Sequence, residues 1–301
     1  MRQNIIMLVL RAAPFAQRPH AVRSTAASTM LLLVLGLTLS HASEPKQGTL
    51  PAWEAYVQTV NRAIEERAAG RSPFLWVDQS PDLIRRVRGG EMLVESHDPH
   101  KVPKGLIHDV VGAMFIPNVT LDQVSWVLND FDRYQDFYRP LVVKSKLLER
   151  TDDHEKVTLL MMQKVFGVTA AVETDDEIQI MKLDANRVYS LSNAVRVQEI
   201  ADYGQPSEHP FAEDRRPGYV WRTLSVTLLE QRDGGVYVEM ETIALSRGIP
   251  WEFRWLIKPL TEHLPRRIMF EMLKDTRDAV RGETEPTSPQ DRKFVKSRTR
   301  E

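Results

Sequence analysis

Residues 219–250, YVWRTLSVTLLEQRDGGVYVEMETIALSRGIP, contain two alternating segments joined by a short turn. Polar and apolar side chains alternate through residues 219–231 and again through residues 235–247, which is the period of a half-buried β-strand. The dipeptide Asp233-Gly234 between them is a strong hairpin signal, because it readily adopts the positive φ angles of a tight turn. The stretch therefore predicts an antiparallel hairpin.

The same pattern continues towards the N-terminus. Short turns separate the earlier strand-like segments, and successive short turns are typical of an antiparallel meander. Before the meander, Thr120 and Gln123 form a capping box that predicts the start of a helix, and the aromatic-rich residues 131–138 predict a second short helix. The predicted strands before the hairpin are residues 105–116, 141–150, 156–166, 168–183 and 187–200.

A long helix is predicted after the hairpin. Pro250 suits the first turn of a helix, and the pattern continues to about Val280, with Pro259 and Pro265 expected to kink or interrupt it. One face carries an apolar stripe long enough to lie across a whole sheet. The predicted fold is thus α+β and of the helix-grip type: a seven-stranded curved antiparallel sheet wrapped around the C-terminal helix, in the order β-α-α-β6-α. The stripe consists of Phe253, Leu256, Ile257, Leu260, Leu264, Ile268 and Met272.

This order of elements resembles a known superfamily. Residues 243–250, which lead into residues 255–257 and 264–266, look like the end of a START-type lipid-transfer domain. The segment from Ile116 to Tyr134 is similar to the opening of polyketide cyclase and coenzyme Q-binding members of the same SRPBCC superfamily. The resemblance covers residues 105–280 and implies a helix-grip fold around an apolar ligand cavity.

The N-terminus carries the features of an export signal. Arginines precede the apolar run 30–39, and the small residues Ser40 and Ala42 flank His41 at a predicted cleavage site. The run is too short to span a bilayer core of about 30 Å. We therefore predict a signal peptide over residues 1–42, with either Met1 or Met30 as the start, and a periplasmic or secreted protein without a stable membrane span.

Three further regions follow the predicted signal peptide. Residues 43–104 form an N-terminal helical extension, residues 105–281 the START-like domain, and residues 282–301 a disordered tail. The extension contains an amphipathic helix over residues 51–69, with Trp53 on its apolar face. We expect this helix to dock against a second apolar stripe on the back of the C-terminal helix. That stripe consists of Trp251, Trp255, Met269 and Leu273.

Composition excludes several classes of function. The 40 Lys and Arg residues balance 41 Asp and Glu residues, so the chain has no general electrostatic attraction for nucleic acid. Cysteine is absent, which excludes disulfides and thiolate chemistry. His97 and His100 lie in a proline-containing loop and are interpreted as exposed histidines rather than metal ligands. We expect neither a metal nor a cofactor, and the oligomeric state stays open.

The candidate ligand-binding residues come from the faces of the predicted strands. Arg222 falls on the more apolar face of its strand, where it should meet a carboxylate or the acidic group of a ligand. Tyr189 and Asn193 are the polar members of a face predicted to point inward. Glu239 and Glu241 either point to solvent or belong to a buried polar cluster. The remaining candidates are Leu160, Met162, Phe166, Met240, Leu256 and Leu260.

The preferred function is the binding or transfer of a hydrophobic, lipid-like small molecule in an internal cavity, since no catalytic motif is present. One alternative is a cyclase or dehydratase that uses Arg222, Tyr189 and a glutamate on a carbonyl compound. Another is an interaction module whose core is filled by side chains. The long connection at residues 201–218 is either a lid over the cavity or a mobile surface loop.

Overall fold

The fold is described from a computed structural model for residues 48–165, 168–211, 220–248 and 254–284. The predicted signal peptide and Phe166 lie outside this part of the chain, as do residues 212–219 of the long connection. Side chains at 165, 168, 254–262, 283 and 284 are also outside the description, including those of Leu256 and Leu260.

The N-terminal part of the chain combines helices with short strands. Helix α1 ends where Gly70 adopts a φ of 69°, and α3 begins with the predicted capping box of Thr120 and Gln123. A 3₁₀ turn over Trp76–Gln79 precedes α2, and another over Phe131–Arg133 precedes α4. The elements are α1 (Thr49–Ala68), α2 (Pro81–Arg88), β1 (Leu93–Ser96), β2 (His100–Val102), β3 (Gly105–Pro117), α3 (Leu121–Asn129) and α4 (Tyr134–Phe137).

The second part is the predicted meander followed by the long helix. Its elements are β4 (Val142–Arg150), β5 (His154–Val165), β6 (Val168–Lys182), β7 (Arg187–Ala201), β8 (His209–Pro210), β9 (Val220–Arg232), β10 (Gly235–Arg247) and α5 (Arg254–Thr284). Helix α5 passes through Pro259 and Pro265 without interruption and extends beyond the predicted boundary at residue 281.

All the strands belong to one antiparallel sheet. Its order is β1-β3-β10-β9-β7-β6-β5-β4, with β2 paired to β3 and β8 paired to β7, which makes ten strands. The seven predicted strands are all present. The three additional strands β1, β2 and β8 have four, three and two residues, too few to show a periodic pattern in the sequence. The α+β architecture with a large antiparallel sheet and a long C-terminal helix is therefore confirmed.

Helix α5 packs on one side of this sheet, called the α5 face from here on. A Cβ atom on Gly112 would lie 2.7 Å from Met269 Cγ and 2.8 Å from Leu273 Cδ1, so the absence of a side chain on β3 lets the helix approach closely. Met269 and Leu273 are 2% and 0% exposed, whereas Leu264, Ile268 and Met272 are only partly buried. The helix thus turns Met269 and Leu273, the two described members of the stripe predicted to lie on its back, towards the sheet.

Helix α1 packs on the opposite side, called the α1 face. Trp53 is buried in a cluster with Ile107 of β3, Leu224 of β9 and Leu245 of β10. The prediction that this helix docks against α5 is therefore wrong. The physical reason is that the sheet is apolar on both sides at β3, β9 and β10, so its second side needs a cover, while Met269 and Leu273 are already buried by the first.

Candidate ligand site on the α5 face

The two sides of β9 differ in how completely they are covered. On the α1 face, Leu224, Val226 and Leu228 are 3%, 0% and 0% exposed. Their neighbours on the α5 face, Thr223, Ser225 and Thr227, are only partly buried. The described side chains of α5 fill the α5 face at β3 and β10, and the hydroxyl-bearing residues of β9 are partly accessible. This less filled region is the candidate ligand site.

Strand register places apolar residues on one side of the site and hydroxyl groups on the other. Ile178 of β6 pairs with Ser192 of β7, which pairs with Ser225 of β9, so these side chains share the α5 face. Strands β5 and β6 supply the apolar wall, and β7 and β9 supply the polar one. The apolar wall contains Val157, Leu159, Met161, Val172, Ile178 and Ile180, and the polar wall contains Ser190, Ser192, Thr223, Ser225 and Thr227.

A buried carboxylate lies at the junction of the two walls. Asp176 accepts hydrogen bonds from Thr174 Oγ1 at 2.6 Å and from Ser192 Oγ at 3.1 Å. Burial raises the pKa of Asp176, and the two hydroxyl donors oppose that rise. Asp176 is therefore a hydrogen-bond acceptor held in a fixed position on the α5 face.

A second carboxylate on the same face has an unused acceptor. Glu155 is 3% exposed and its Oε1 accepts a hydrogen bond from Arg150 Nε at 2.5 Å. Its Oε2 is buried and has no hydrogen-bond partner within the described part of the chain. Glu155 lies beside Ile178 and Val157, which pack in one cluster with Phe131 and Tyr134. A buried carboxylate oxygen without a donor is costly, so this position suits a donor from a ligand or a water molecule.

Three of the predicted ligand-binding residues lie on the α1 face instead. Tyr189 pairs with Leu228 and packs against the cluster under α1, and Asn193 pairs with Leu224 and is exposed. Arg222 pairs with Leu245 next to a bulge, and its Nη1 donates to the carbonyl of Trp221 at 2.7 Å. The face predicted to point inward with Tyr189 and Asn193 therefore lies on the side of α1 rather than α5, while Arg222 lies on the more apolar side of its strand as predicted. Their role in ligand binding stays a prediction.

The other predicted residues divide between the two faces. Leu160 pairs with Glu173, and Met162 pairs with Ala171, so both lie on the side of the sheet away from α5 and outside the candidate site. Met240 lies on the α5 face, 5% exposed, in the same cluster as Met269. Glu239 belongs to a buried polar cluster, the second of its two interpretations, and is described below.

Sequence reasoning missed Glu155 and Asp176. The signal was present, since Glu155, Val157, Leu159 and Met161 alternate along β5, and Thr174, Asp176, Ile178 and Ile180 alternate along β6. A carboxylate inside such an apolar series indicates a buried acceptor. The predicted alternative of acid–base catalysis used Arg222 and Tyr189, which the structure keeps away from these two carboxylates.

A second cavity, a metal site and a membrane-spanning helix are three other kinds of functional feature that the described part of the chain could contain. A cavity of about 170 Å³ lies between α2, β3 and α5, but Arg88 and Arg277 on its rim contact Asp233 and Asp278. Over the described residues, His, Asp and Glu side chains form no group of three or more that could hold a metal ion. None of the described helices combines the length and apolarity needed to cross a membrane.

Comparison with solved structures identifies proteins of similar fold. The STAR-related lipid transfer protein fragment from Xanthomonas axonopodis is 18% identical, with a TM-score of 0.42 over 61% of this chain and 98% of its own. Human StAR-related lipid transfer protein 5 is 13% identical, with a TM-score of 0.38 over 73% and 100%. The di-domain ARO/CYC protein StfQ of steffimycin biosynthesis is 10% identical, with a TM-score of 0.39 over 60% and 53%.

These similarities concern the fold alone. No protein-family model matches the chain. No curated protein matches it either.

Proposed function

We propose that this protein binds a hydrophobic, lipid-like small molecule between α5 and the α5 face of the sheet. The observation that carries the proposal is the buried Glu155 Oε2, which has no hydrogen-bond donor among the described residues and lies beside a partly buried apolar wall. An apolar ligand body would cover Leu159, Met161 and Ile180, which are only partly buried. Transfer of the molecule between membranes is an extension of the same proposal.

The polar groups of the site restrict the ligand to molecules with a donor group. Glu155 and Asp176 are acceptors, and the hydroxyl groups of β7 and β9 can bind either a donor or an acceptor. A lipid with a hydroxyl or amine group satisfies these acceptors. A fatty acid would bring a third carboxylate to a buried site, which is unfavourable. The proposed ligand class is therefore a lipid alcohol or lipid amine.

The stoichiometry and the selectivity of ligand binding are expected to reflect the apolar wall and the buried carboxylates of the α5 face. An environment-sensitive apolar dye should bind with about one equivalent per chain, and a long-chain alcohol should displace it better than a fatty acid of equal length. Glu155→Gln should weaken the alcohol's advantage about 10-fold to 100-fold, because a hydrogen bond to a charged group contributes about 1.5–3 kcal/mol. Fluorescence titration measures both affinities.

A matched pair of variants separates this site from the rest of the sheet. Ser225→Phe places a ring in the site and should abolish saturable dye binding, whereas Asn193→Phe, at an exposed position on the α1 face, should leave the affinity within about twofold. Dye binding that no apolar competitor displaces would contradict the proposal and favour an interaction module with a filled core. Native mass spectrometry of protein from its own host would then identify any molecule that copurifies.

We further propose that the protein is exported to the periplasm or secreted, because the N-terminal pattern of arginines, apolar run and small residues is that of a signal peptide. The mature chain is expected to begin at Ser43. Intact-mass measurement of protein from its host checks this. Retention of residues 1–42 would show that the signal is not cleaved.

A further inference from the structure

Three carboxyl groups lie together under α1. Asp109 of β3 is 8% exposed, Glu239 of β10 is 1% exposed, and Glu241 of β10 is partly buried. Helix α1 covers this group and supplies one guanidinium, that of Arg67, which forms an ion pair with Glu239. The second oxygen of Glu239 accepts a hydrogen bond from the backbone N–H of Trp76 at 2.5 Å. Both carboxylate oxygens of Glu239 thus have a partner within the chain.

Asp109 has one oxygen with partners and one without. Tyr56 of α1 donates its hydroxyl hydrogen to Asp109 Oδ2 at 2.9 Å, and His97 Nδ1 lies 3.4 Å from the same oxygen. Asp109 Oδ1 is buried and accepts no hydrogen bond from any described residue. The carboxyl group of Glu241 lies within hydrogen-bonding reach of Asp109. Two carboxyl oxygens that meet in this way repel each other unless one of them carries a hydrogen.

We propose that Glu241 keeps its proton in the folded protein, donates it to Asp109 Oδ1, and thereby forms a pH-sensitive latch that holds α1 on the sheet. Loss of that proton would leave three negative carboxylates under α1. The other titratable groups around them are Arg67 and Tyr56 of α1, Asp78 of the 3₁₀ turn, and His97 and His100. Arg67 is already bound to Glu239, so it cannot neutralise the added charge fully.

The sign of the pH dependence follows from the two protonation states. Burial, followed by the charges of Asp109 and Glu239, raises the pKa of Glu241 from 4.5 to about 8. Between these values the folded chain binds a proton that the unfolded chain has lost, so stability falls as the pH rises. This carboxyl alone should increase the unfolding equilibrium constant about tenfold per pH unit from about pH 5 to 8, and not beyond the folded pKa.

Urea unfolding at pH 5, 6, 7 and 8 tests the latch in the wild type and in Glu241→Gln. The glutamine amide also donates a hydrogen bond to Asp109 but does not titrate. The unfolding equilibrium constant of the variant should therefore rise about tenfold less per pH unit than that of the wild type. Glu95→Gln, at an exposed position of β1 on the same face of the sheet, is the matched control, and its pH slope should parallel that of the wild type. A pH slope in Glu241→Gln equal to that of the wild type would overturn the proposal.

Two direct measurements test separately whether Glu241 holds a proton and whether that proton keeps α1 on the sheet. Carboxyl ¹³C NMR should show Glu241 titrating near pH 8, and titration below about pH 6 would overturn the shared proton. Hydrogen exchange of the α1 amides, corrected for intrinsic rates, should accelerate between pH 7 and 9 in the wild type but not in Glu241→Gln. Equal protection of α1 in both proteins would overturn its role as a latch even if the pKa is raised.

Discussion

Trp53→Ala is expected to lower the free energy of unfolding by about 3–5 kcal/mol, which is the usual cost of truncating a buried tryptophan. Trp53 is 5% exposed and packs against Ile107, Leu224 and Leu245 on the α1 face. The surrounding strands cannot collapse into the space, because α5 holds them from the other side. Urea denaturation with a constant m-value measures the loss. Deletion of residues 44–70 should have a larger effect and should increase hydrophobic dye binding.

Trp126 provides the matched control for this substitution. It is 50% exposed on α3, where Arg133 lies 5.9 Å from its ring, so Trp126→Ala should cost less than about 1 kcal/mol.

Double-mutant cycles locate the partner of α1. Trp53→Ala should couple with Leu245→Ala by at least about 0.5 kcal/mol and add to Met269→Ala without coupling. Coupling with Met269 would instead place α1 against α5.

Local sequence patterns predicted the strands and the main helices. Alternation along residues 235–247 gave both ends of β10, and the capping box gave the start of α3. These signals depend on neighbouring residues only, so one sequence is sufficient to read them. β1 and β2 were missed because short strands lack a period, and they form only by pairing with β3.

The faces of the strands could not be predicted in the same way. Alternation along β9 separates Leu224, Val226 and Leu228 from Thr223, Ser225 and Thr227, but it does not show which set faces α5. The sequence predicts Arg222, which shares the apolar side, to be a ligand-binding residue. The structure buries the apolar set under α1, which the sequence had placed elsewhere. The position of α1 thus explains why Tyr189, Asn193 and Arg222 lie on the opposite side of the sheet from α5.

The partner of Glu239 under α1 could not be predicted for a related reason. Glu239 is surrounded by apolar strand residues but meets Arg67 from a sequence distance of 172 residues. No local period links these two residues, so only the tertiary structure shows that the charge is paired. Because the pair is buried, with side-chain exposures of 14% and 1%, its disruption should have a large effect.

Arg67→Met is accordingly expected to lower the free energy of unfolding by about 3–5 kcal/mol at pH 7, since it leaves a buried carboxylate without its cation. Burial raises the pKa of Glu239, and Arg67 opposes that rise. Without Arg67 the folded variant should therefore bind a proton at Glu239, so its deficit should be smaller at pH 5 than at pH 8.

The double variant Arg67→Met with Glu239→Gln decides whether the charge or the packing is responsible. The glutamine oxygen can still accept the hydrogen bond from the Trp76 backbone, while the uncompensated charge is removed. We expect the double variant to recover more than half of the loss and to show no excess pH dependence, as measured by urea unfolding at pH 5 and 8. A double variant as unstable as Arg67→Met would mean that the arginine stabilises α1 through packing and its hydrogen bond to the Phe74 carbonyl instead.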